Sequence, residues 1–212
     1  MRARSDLCLL IARVESRRCY RLTHTLMILP ILSYGHQGLR EETKEIGPDY
    51  PKLDELIENM FETMYNAQGV GLAAPQVNLP IRLFVVDGSP IEPVEGEDME
   101  QFKRVFINPR KIEETGTPWA FEEGCLSIPD IRENVTRPAH ITLQYQDPQF
   151  DTHTETFTGM QARIVQHEYD HLDGKLFVDY LSGMRRRVLK TRLSKISQGK
   201  VDSPYPMKYS KK

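Results

Sequence analysis

The sequence is poor in cysteine and contains no long apolar run. Only three of its 212 residues are cysteines, and Cys8 and Cys19 both lie within the first twenty positions. So few cysteines exclude a small domain built on disulfide bonds and fit a reducing compartment. No run of about 18 consecutive apolar residues occurs, so no membrane-spanning helix is predicted. We therefore expect a cytoplasmic protein with no membrane partner.

Positive charge is scarce in the middle of the chain and concentrated near its ends. Residues 1–26 hold six arginines against two acidic residues, and residues 182–212 hold ten lysines and arginines against one aspartate. The whole chain has a net charge of −2, so residues 27–181 are strongly acidic. We predict that residues 1–26 are an extension that is disordered or precedes the true initiator Met27, with a transit peptide as the alternative. Residues 27–212 are predicted to form a single catalytic domain.

The segment 166–174 contains the spacing His-Glu-x-x-His. On a helix, His167 and His171 lie on one face and can bind the same metal ion. Glu168 then lies next to a water that the metal activates and can accept its proton. Asp170 is a candidate acceptor for the N–H of a ligating imidazole. The alternative is a pair of solvent-exposed histidines without a metal.

The segment after the motif lacks a third metal ligand of a known pattern. No glutamate follows Glu168, and Phe177 occupies the position where one class of zinc proteases has a third histidine. Asp173 and Asp179 remain, but nothing around them forms a recognisable ligand pattern. The upstream candidate is Cys125, because a thiolate binds borderline-soft divalent metals well. A buried structural cysteine is the alternative reading.

A third block, Gly69 to Gln76, is rich in small residues. Two glycines flank Val70, and two alanines and a proline follow, which allows a close approach of the backbone to a ligand. The side-chain amide of Gln76 can donate to a developing oxyanion. The alternative is a tight turn leading into a strand.

Together the three blocks resemble the peptide deformylase family, whose signature combines G-x-G-L-A-A-x-Q, E-G-C-L-S and Q-H-E-x-D-H. All three occur here intact and in this order, and the resemblance extends from Met27 to the C-terminus. It implies an α+β fold in which antiparallel β-sheets pack around a central helix carrying the motif, with a helix at the C-terminus. It also implies an enzyme that removes the N-formyl group from the initiating methionine of new polypeptides.

The resemblance further implies how the site is arranged. Cys125, His167 and His171 would hold one divalent metal, most often Fe²⁺ in this family, with Zn²⁺, Ni²⁺ or Co²⁺ also found in purified protein. Glu168 would be the general base, and Gln76 and the Leu126 N–H would stabilise the oxyanion. The substrate backbone would bind in extended form, and the residues assigned to substrate binding are Val70, Gly71, Gly124 and Ile164. Arg163 is long enough to cover the mouth of the methionine pocket.

Secondary structure follows from periodicity. Residues 51–65 predict a helix with a buried stripe of apolar residues, including Met60 and Met64. Strands are predicted at 80–87, 103–109, 139–145 and 152–158, with strand and turn at 110–120 and a polar loop at 88–101. The motif helix and a C-terminal helix at 181–197 follow, with Val188, Leu189, Leu193 and Ile196 as the apolar positions of the latter.

The C-terminal helix is also strongly basic, which predicts either docking on the acidic body or association with an external polyanion. The ribosome is the polyanion that the implied reaction suggests, and such contacts would be independent of nucleic-acid sequence. Two other functions are consistent with the residues: a general metalloprotease, and a structural metal module that binds the ribosome or RNA. The missing downstream ligand argues against the first, and the presence of Glu168 argues against the second.

Overall fold

The structure of the protein, a computed structural model, describes residues 26–92 and 96–210. The prediction for residues 1–26 therefore lies, except for Leu26, outside the described residues. The described residues form three α-helices: α1 (Leu53–Asn66), α2 (Gly159–Leu172) and α3 (Gly183–Ser197). The strands in chain order are β1 (Ile31–Leu32), β2 (Gly71–Ala73), β3 (Leu83–Asp87), β4 (Lys103–Thr115), β5 (Trp119–Cys125), β6 (Ile128–Arg137), β7 (His140–Gln146), β8 (Thr152–Thr158) and β9 (Met207–Lys208). Short 3₁₀ turns lie at Gln37–Arg40, Ala74–Val77 and Phe177–Tyr180.

The strands form two antiparallel sheets and one short parallel pair. The larger sheet has the order β2-β3-β4-β7-β8, and β5 pairs with β6 in a separate hairpin. The predicted α+β fold with antiparallel sheets is therefore confirmed. The parallel pair of β1 with β9 was not predicted, and neither were β6 and most of β5, since the predicted strand and turn ended at residue 120. The strand predicted at 103–109 continues to Thr115 through irregular pairing with β7.

Helix α2 is the buried centre of the molecule. Every residue from Ala162 to Leu172 is buried, including the polar ones. One side of α2 packs on the larger sheet, where Phe84 and Phe106 stack with ring centroids 4.5 Å apart. A helix that is buried all round presents its polar side chains only to protein or to an internal site. The predicted central motif helix is thus confirmed.

The N-terminus of α2 is capped from a distant loop. The residue preceding the helix, Thr158, makes no side-chain cap. Instead the carboxylate of Glu97 accepts hydrogen bonds from the Met160 N–H at 2.9 Å and the Gln161 N–H at 3.2 Å. An anion at this end also interacts favourably with the helix dipole. The cap fixes the loop after β3 against the helix that carries the motif.

The buried positions of α1 and α3 agree with the apolar positions predicted from the sequence, except at one residue of α3. Met60 and Met64 of α1 are fully buried, as predicted. In α3, Leu189, Leu193 and Ile196 are buried, but Val188 is 63% exposed, so its assignment to the apolar face was wrong. Position 188 precedes Leu189 by one residue, about 100° around the helix, and therefore faces solvent. No helix in the described ranges has both the length and the apolar character needed to cross a membrane.

Candidate metal centre and substrate groove

Three side chains predicted as ligands meet at one point. The ligand atoms of Cys125, His167 and His171 all lie within 4.8 Å of one another. Helix α2 presents both histidines on one face, and Cys125 ends β5 beside them, with its Sγ 3.4 Å from His171 Nε2. One thiolate and two imidazoles fit ferrous iron, zinc, cobalt or nickel. The residues present therefore fit the metal that the sequence predicts.

The two aspartates downstream of the motif serve other purposes. Asp179 pairs with Arg40 at 2.6 Å, and Asp173 lies 3.4 Å from Arg82. Both carboxylates are thus engaged by arginines on the outside of the helix. They do not join the cluster of Cys125 and the histidines.

The partner of the first histidine is Glu123, not the predicted Asp170. His167 Nδ1 donates to Glu123 Oε2 at 3.0 Å, which leaves Nε2 for the cluster. The carboxylate of Asp170 instead accepts from Arg137 Nη1 at 2.6 Å and from the Tyr180 hydroxyl at 2.9 Å. The two carboxylate oxygens of Asp170 are thus engaged by Arg137 and Tyr180 and not in the predicted role.

Glu123 is the centre of a buried ionic cluster behind the ligands. It accepts from Arg137 Nε at 2.7 Å and from Arg163 Nη1 at 2.9 Å, in addition to His167. Burial alone would raise the pKa of Glu123, but the hydrogen bonds from His167 and Arg137 hold this pKa well below its usual range. The carboxylate therefore stays charged, and it orients the His167 ring.

Arg163 belongs to this cluster and does not cover the mouth of the pocket, so that prediction was wrong. Its side chain is 3% exposed, and its guanidinium lies over the ring of Trp119 at 4.3 Å. Burial lowers the pKa of Arg163, and the ion pair with Glu123 opposes that shift. A guanidinium held by a carboxylate, a carbonyl and an aromatic face is fixed inside the fold.

Glu168 is a buried carboxylate that faces the ligands. It is 4% exposed, and within the described residues its Oε2 has no hydrogen-bond partner. Burial raises the pKa of Glu168 to about 7, with the charge of His167 opposing the shift. A carboxylate with a pKa near neutrality and a free oxygen is suited to accepting and returning a proton.

Gln76 is held so that its amide nitrogen points at the cluster. Its Oε1 accepts from the Ala73 N–H at 2.8 Å, which identifies the nitrogen as the inward end. Nε2 lies 3.5 Å from Cys125 Sγ and 3.3 Å from Ser127 Oγ. A donor is therefore placed beside the thiolate, as the predicted role requires.

Gly71 allows the Glu168 carboxylate to lie against the backbone of β2. A Cβ at position 71 would lie 2.6 Å from Glu168 Cδ. We expect Gly71→Ala to displace the carboxylate and lower turnover at least tenfold, with a loss of stability of about 1–3 kcal/mol from overpacking. Steady-state kinetics and thermal unfolding measure the two effects.

Gly183→Ala is the control for this substitution. A Cβ at position 183, at the start of α3 and outside the groove, would meet nothing within 4 Å. We expect parental turnover from Gly183→Ala. A loss equal to that of Gly71→Ala would show that closeness to Glu168 is not the cause.

The cluster opens into a groove of about 640 Å³. Nine of the ten predicted site residues line it, and His171 lies buried behind them. Within the described residues, β2 pairs only with β3, and β5 pairs only with β6. Both strands line the groove, so their open edges can each pair with an extended peptide. One side of the groove is apolar and adds Ile91 and Met160 to the predicted Val70 and Ile164.

Comparison with known proteins agrees with this geometry. The sequence profile of the family "Polypeptide deformylase" matches residues 28–187. A peptide deformylase of Christiangramia forsetii is 51% identical over 189 residues, which cover 86% of this chain and 96% of that protein. One from Flavobacterium johnsoniae is 50% identical, covering 87% and 97% of the two chains. The crystal structure of a peptide deformylase from Legionella pneumophila superposes with a TM-score of 0.71 at 36% identity, covering 82% of this chain and 98% of that one.

These matches extend over the whole of the site. The matched range contains the glycine-rich block, Cys125 and the motif helix, and the curated relatives agree with this chain over nearly their full lengths. Members of the family are metal-dependent enzymes that hydrolyse the N-formyl group of nascent polypeptides. The chain belongs to the polypeptide deformylase family.

Proposed function

We propose that this protein removes the formyl group from the N-terminal methionine of newly synthesised polypeptides. The observation that carries the proposal is the buried Glu168 carboxylate, whose Oε2 has no hydrogen-bond partner among the described residues, in the same groove as Cys125 and His167. The cluster lies in a groove between two open strand edges. A structural metal module would have no need of a base beside the ligands, and the usual His-Glu-x-x-His protease has its third ligand downstream of the motif.

The chemistry is hydrolysis of a formamide. Cys125, His167 and His171 would hold a divalent metal, which would supply Lewis-acid chemistry for the attack of water on the formyl carbon. Glu168 accepts a proton from the attacking water and returns it to the leaving nitrogen as the C–N bond breaks. Gln76 Nε2 and the Leu126 N–H donate to the oxygen as it gains negative charge. The products are formate and a free amino terminus.

The groove holds the rest of the substrate. Val70 and Gly71 on the β2 side and Gly124 on the β5 side offer backbone groups to an extended peptide. The apolar side, formed by Val70 and Ile164 together with Ile91 and Met160, takes the methionine side chain. Specificity then comes from the formyl group, the methionine and the main chain.

The proposed metal is Fe²⁺, with Zn²⁺, Ni²⁺ or Co²⁺ able to replace it during purification. We expect Cys125→Ser to retain metal poorly, because a neutral hydroxyl replaces a charged thiolate. Metal analysis after dialysis, together with the absorption spectrum of cobalt-loaded protein, measures this. Full occupancy with an unchanged cobalt spectrum would mean that Cys125 is only part of the core.

The function is tested by an anaerobic assay on a formylmethionyl peptide and on an internal peptide, with metal content measured on the same sample. We expect hydrolysis of the first only. The assay is run on the full chain and on a chain that begins at Met27, because we propose residues 27–212 as the catalytic unit. Cleavage of the internal peptide, or no turnover by metal-loaded protein, would refute the proposed function.

We further propose a cytoplasmic site of action and a salt-sensitive contact of α3 with the ribosome. Arg185 already pairs with Glu133 at 2.6 Å, and Arg192 donates to the Asp130 carbonyl, so part of the basic face docks on the protein itself. Arg186, Arg187 and Lys190 are exposed and form no ion pair within the described ranges. These three outward charges are available to RNA phosphate.

We expect replacement of Arg186, Arg187 and Lys190 by glutamate to abolish co-sedimentation with ribosomes at low salt. Turnover of a small formyl peptide should not change, because α3 lies outside the groove. Arg185→Gln is the control, since it breaks the contact with Glu133 and leaves the outward charges in place. Co-sedimentation of the triple variant at the parental level would leave docking on the protein itself as the only role of the basic face.

A further inference from the structure

A residue from beyond the range of the family profile lines the groove. The family profile ends at residue 187, but Tyr205 contributes to the same cavity as Cys125, His167 and Glu168. After α3 the chain turns back and pairs with β1, where the Ile31 N–H donates to the Pro206 carbonyl at 2.9 Å. Tyr205 stands between Pro204 and Pro206, which restrict the backbone on both sides.

Tyr205 is attached to the turn that carries the proposed oxyanion donor. Its hydroxyl donates to the Leu126 carbonyl at 2.9 Å. Burial raises the pKa of Tyr205, so the hydroxyl keeps its proton and remains a donor. The other side of the same turn is held by the Tyr34 N–H, which donates to the Ser127 carbonyl at 2.8 Å. The Leu126 turn is therefore held from both sides.

The groove has two apolar sides, and Tyr205 lies on the one that the methionine does not use. Val70, Ile91, Met160 and Ile164 pack in the core under the larger sheet. Leu126 and Tyr205 pack instead with the cluster around α1. The second side therefore meets some other part of the substrate.

Two glycines, one at the start of β2 and one just before it, indicate which part this is. Gly71 lies against Glu168, where the formyl group reacts, and a Cβ at Gly69, two residues before β2, would lie 2.8 Å from Leu126 Cδ1. Two residues span at most about 7 Å of chain, which is also the length of two residues of an extended substrate. A peptide that pairs with the β2 edge and has its formyl group at Glu168 therefore passes Leu126 at its second and third residues.

We propose that Tyr205 is a specificity-determining residue: its ring contacts the second and third residues of the substrate, and its hydroxyl positions the Leu126 turn. This rests on the proposed deformylase function and adds a segment beyond residue 187 to the active site. Substrates longer than formylmethionine should therefore gain affinity from the C-terminal segment.

The test compares formylmethionine amide with a formylmethionyl tripeptide. We expect Tyr205→Ala to raise KM for the tripeptide about tenfold, the size of a lost apolar contact, and to change KM for the amide by less than twofold. Tyr205→Phe keeps the ring, so KM should stay at the parental value. It removes the hydroxyl that holds the Leu126 turn, so kcat should fall on both substrates. Calorimetric binding of the tripeptide in a Glu168→Gln background gives the same comparison without turnover.

Tyr209→Ala is the matched control, because Tyr209 lies on the same segment and packs against Gly199 outside the groove. If Tyr205→Ala unfolds, Tyr205→Leu replaces it with the same expected difference between substrates. If the parent protein hydrolyses both substrates and the Tyr205 variants change KM equally for the amide and the tripeptide, the role of Tyr205 is overturned. The proposed deformylase function is then unaffected. A metal-loaded parent with no turnover overturns the proposed function as well.

Discussion

Glu168→Gln is expected to lower kcat by roughly 10²–10⁴-fold while the metal content per chain stays at the parental level. The substitution keeps the shape of the side chain and removes its ability to accept a proton. Glu168 is placed for this role alone, since it is buried, packs against Gly71 and has an oxygen without a partner in the described structure. Turnover and metal content are measured on the same preparation.

Glu168→Asp serves as the conservative comparison. It restores a carboxylate one methylene further from the ligands, so we expect activity between that of the parent and that of Glu168→Gln. Loss of metal from Glu168→Gln would make the residue a ligand instead of a base. A turnover close to that of the parent would remove it from the chemistry.

The second large effect is expected from Glu123→Gln. The amide replaces a charge that two arginines and His167 share, and its NH₂ group would face the donors of Arg137. Removing one member of a buried ionic cluster costs about 3–5 kcal/mol, which corresponds to a fall in Tm of roughly 6–20 °C for a chain of this size. Replacing the charged acceptor on His167 by a neutral amide should also weaken metal binding by about 10–100-fold.

Glu122→Gln is the control for Glu123→Gln. Its side chain is 63% exposed and lies 3.4 Å from Arg132, and an exposed pair of this kind contributes about 0–1 kcal/mol. The two substitutions are chemically identical and adjacent in sequence, so only burial and partners differ. Equal Tm values and equal metal affinities would show that the cluster behind the ligands has no role.

The ligand set could be predicted because its members lie in short, recognisable sequence blocks. His167 and His171 share a helical face at fixed spacing, and Cys125 lies in a block of its own. The ionic cluster could not be predicted in the same way, because Glu123, Arg137 and Arg163 come from β5, β6 and α2. Glu123 lies two positions before Cys125, but no sequence pattern near it indicates that its partners are His167, Arg137 and Arg163.

Strand β6 was missed for a related reason. Its residues from Ile131 onward alternate between inward and outward positions, but two of the inward positions hold Glu133 and Arg137. A charged residue at an inward position hides the alternation of apolar residues that identifies a strand. The cap of α2 by Glu97 and the entry of Tyr205 into the groove are likewise long-range contacts, which no local pattern reports.

The pairing of β1 with β9 has a consequence for how the protein is made. Ile31 pairs with Met207, so the first strand gains its neighbour only after residue 207 has been synthesised. Contacts between residues so distant in sequence form slowly, because a long loop must close before they can form. Strand β1 and the segment that carries Tyr205 should therefore be the last parts to reach the native state. A nascent chain arrested before residue 205 can assemble the metal ligands, but it lacks one side of the groove.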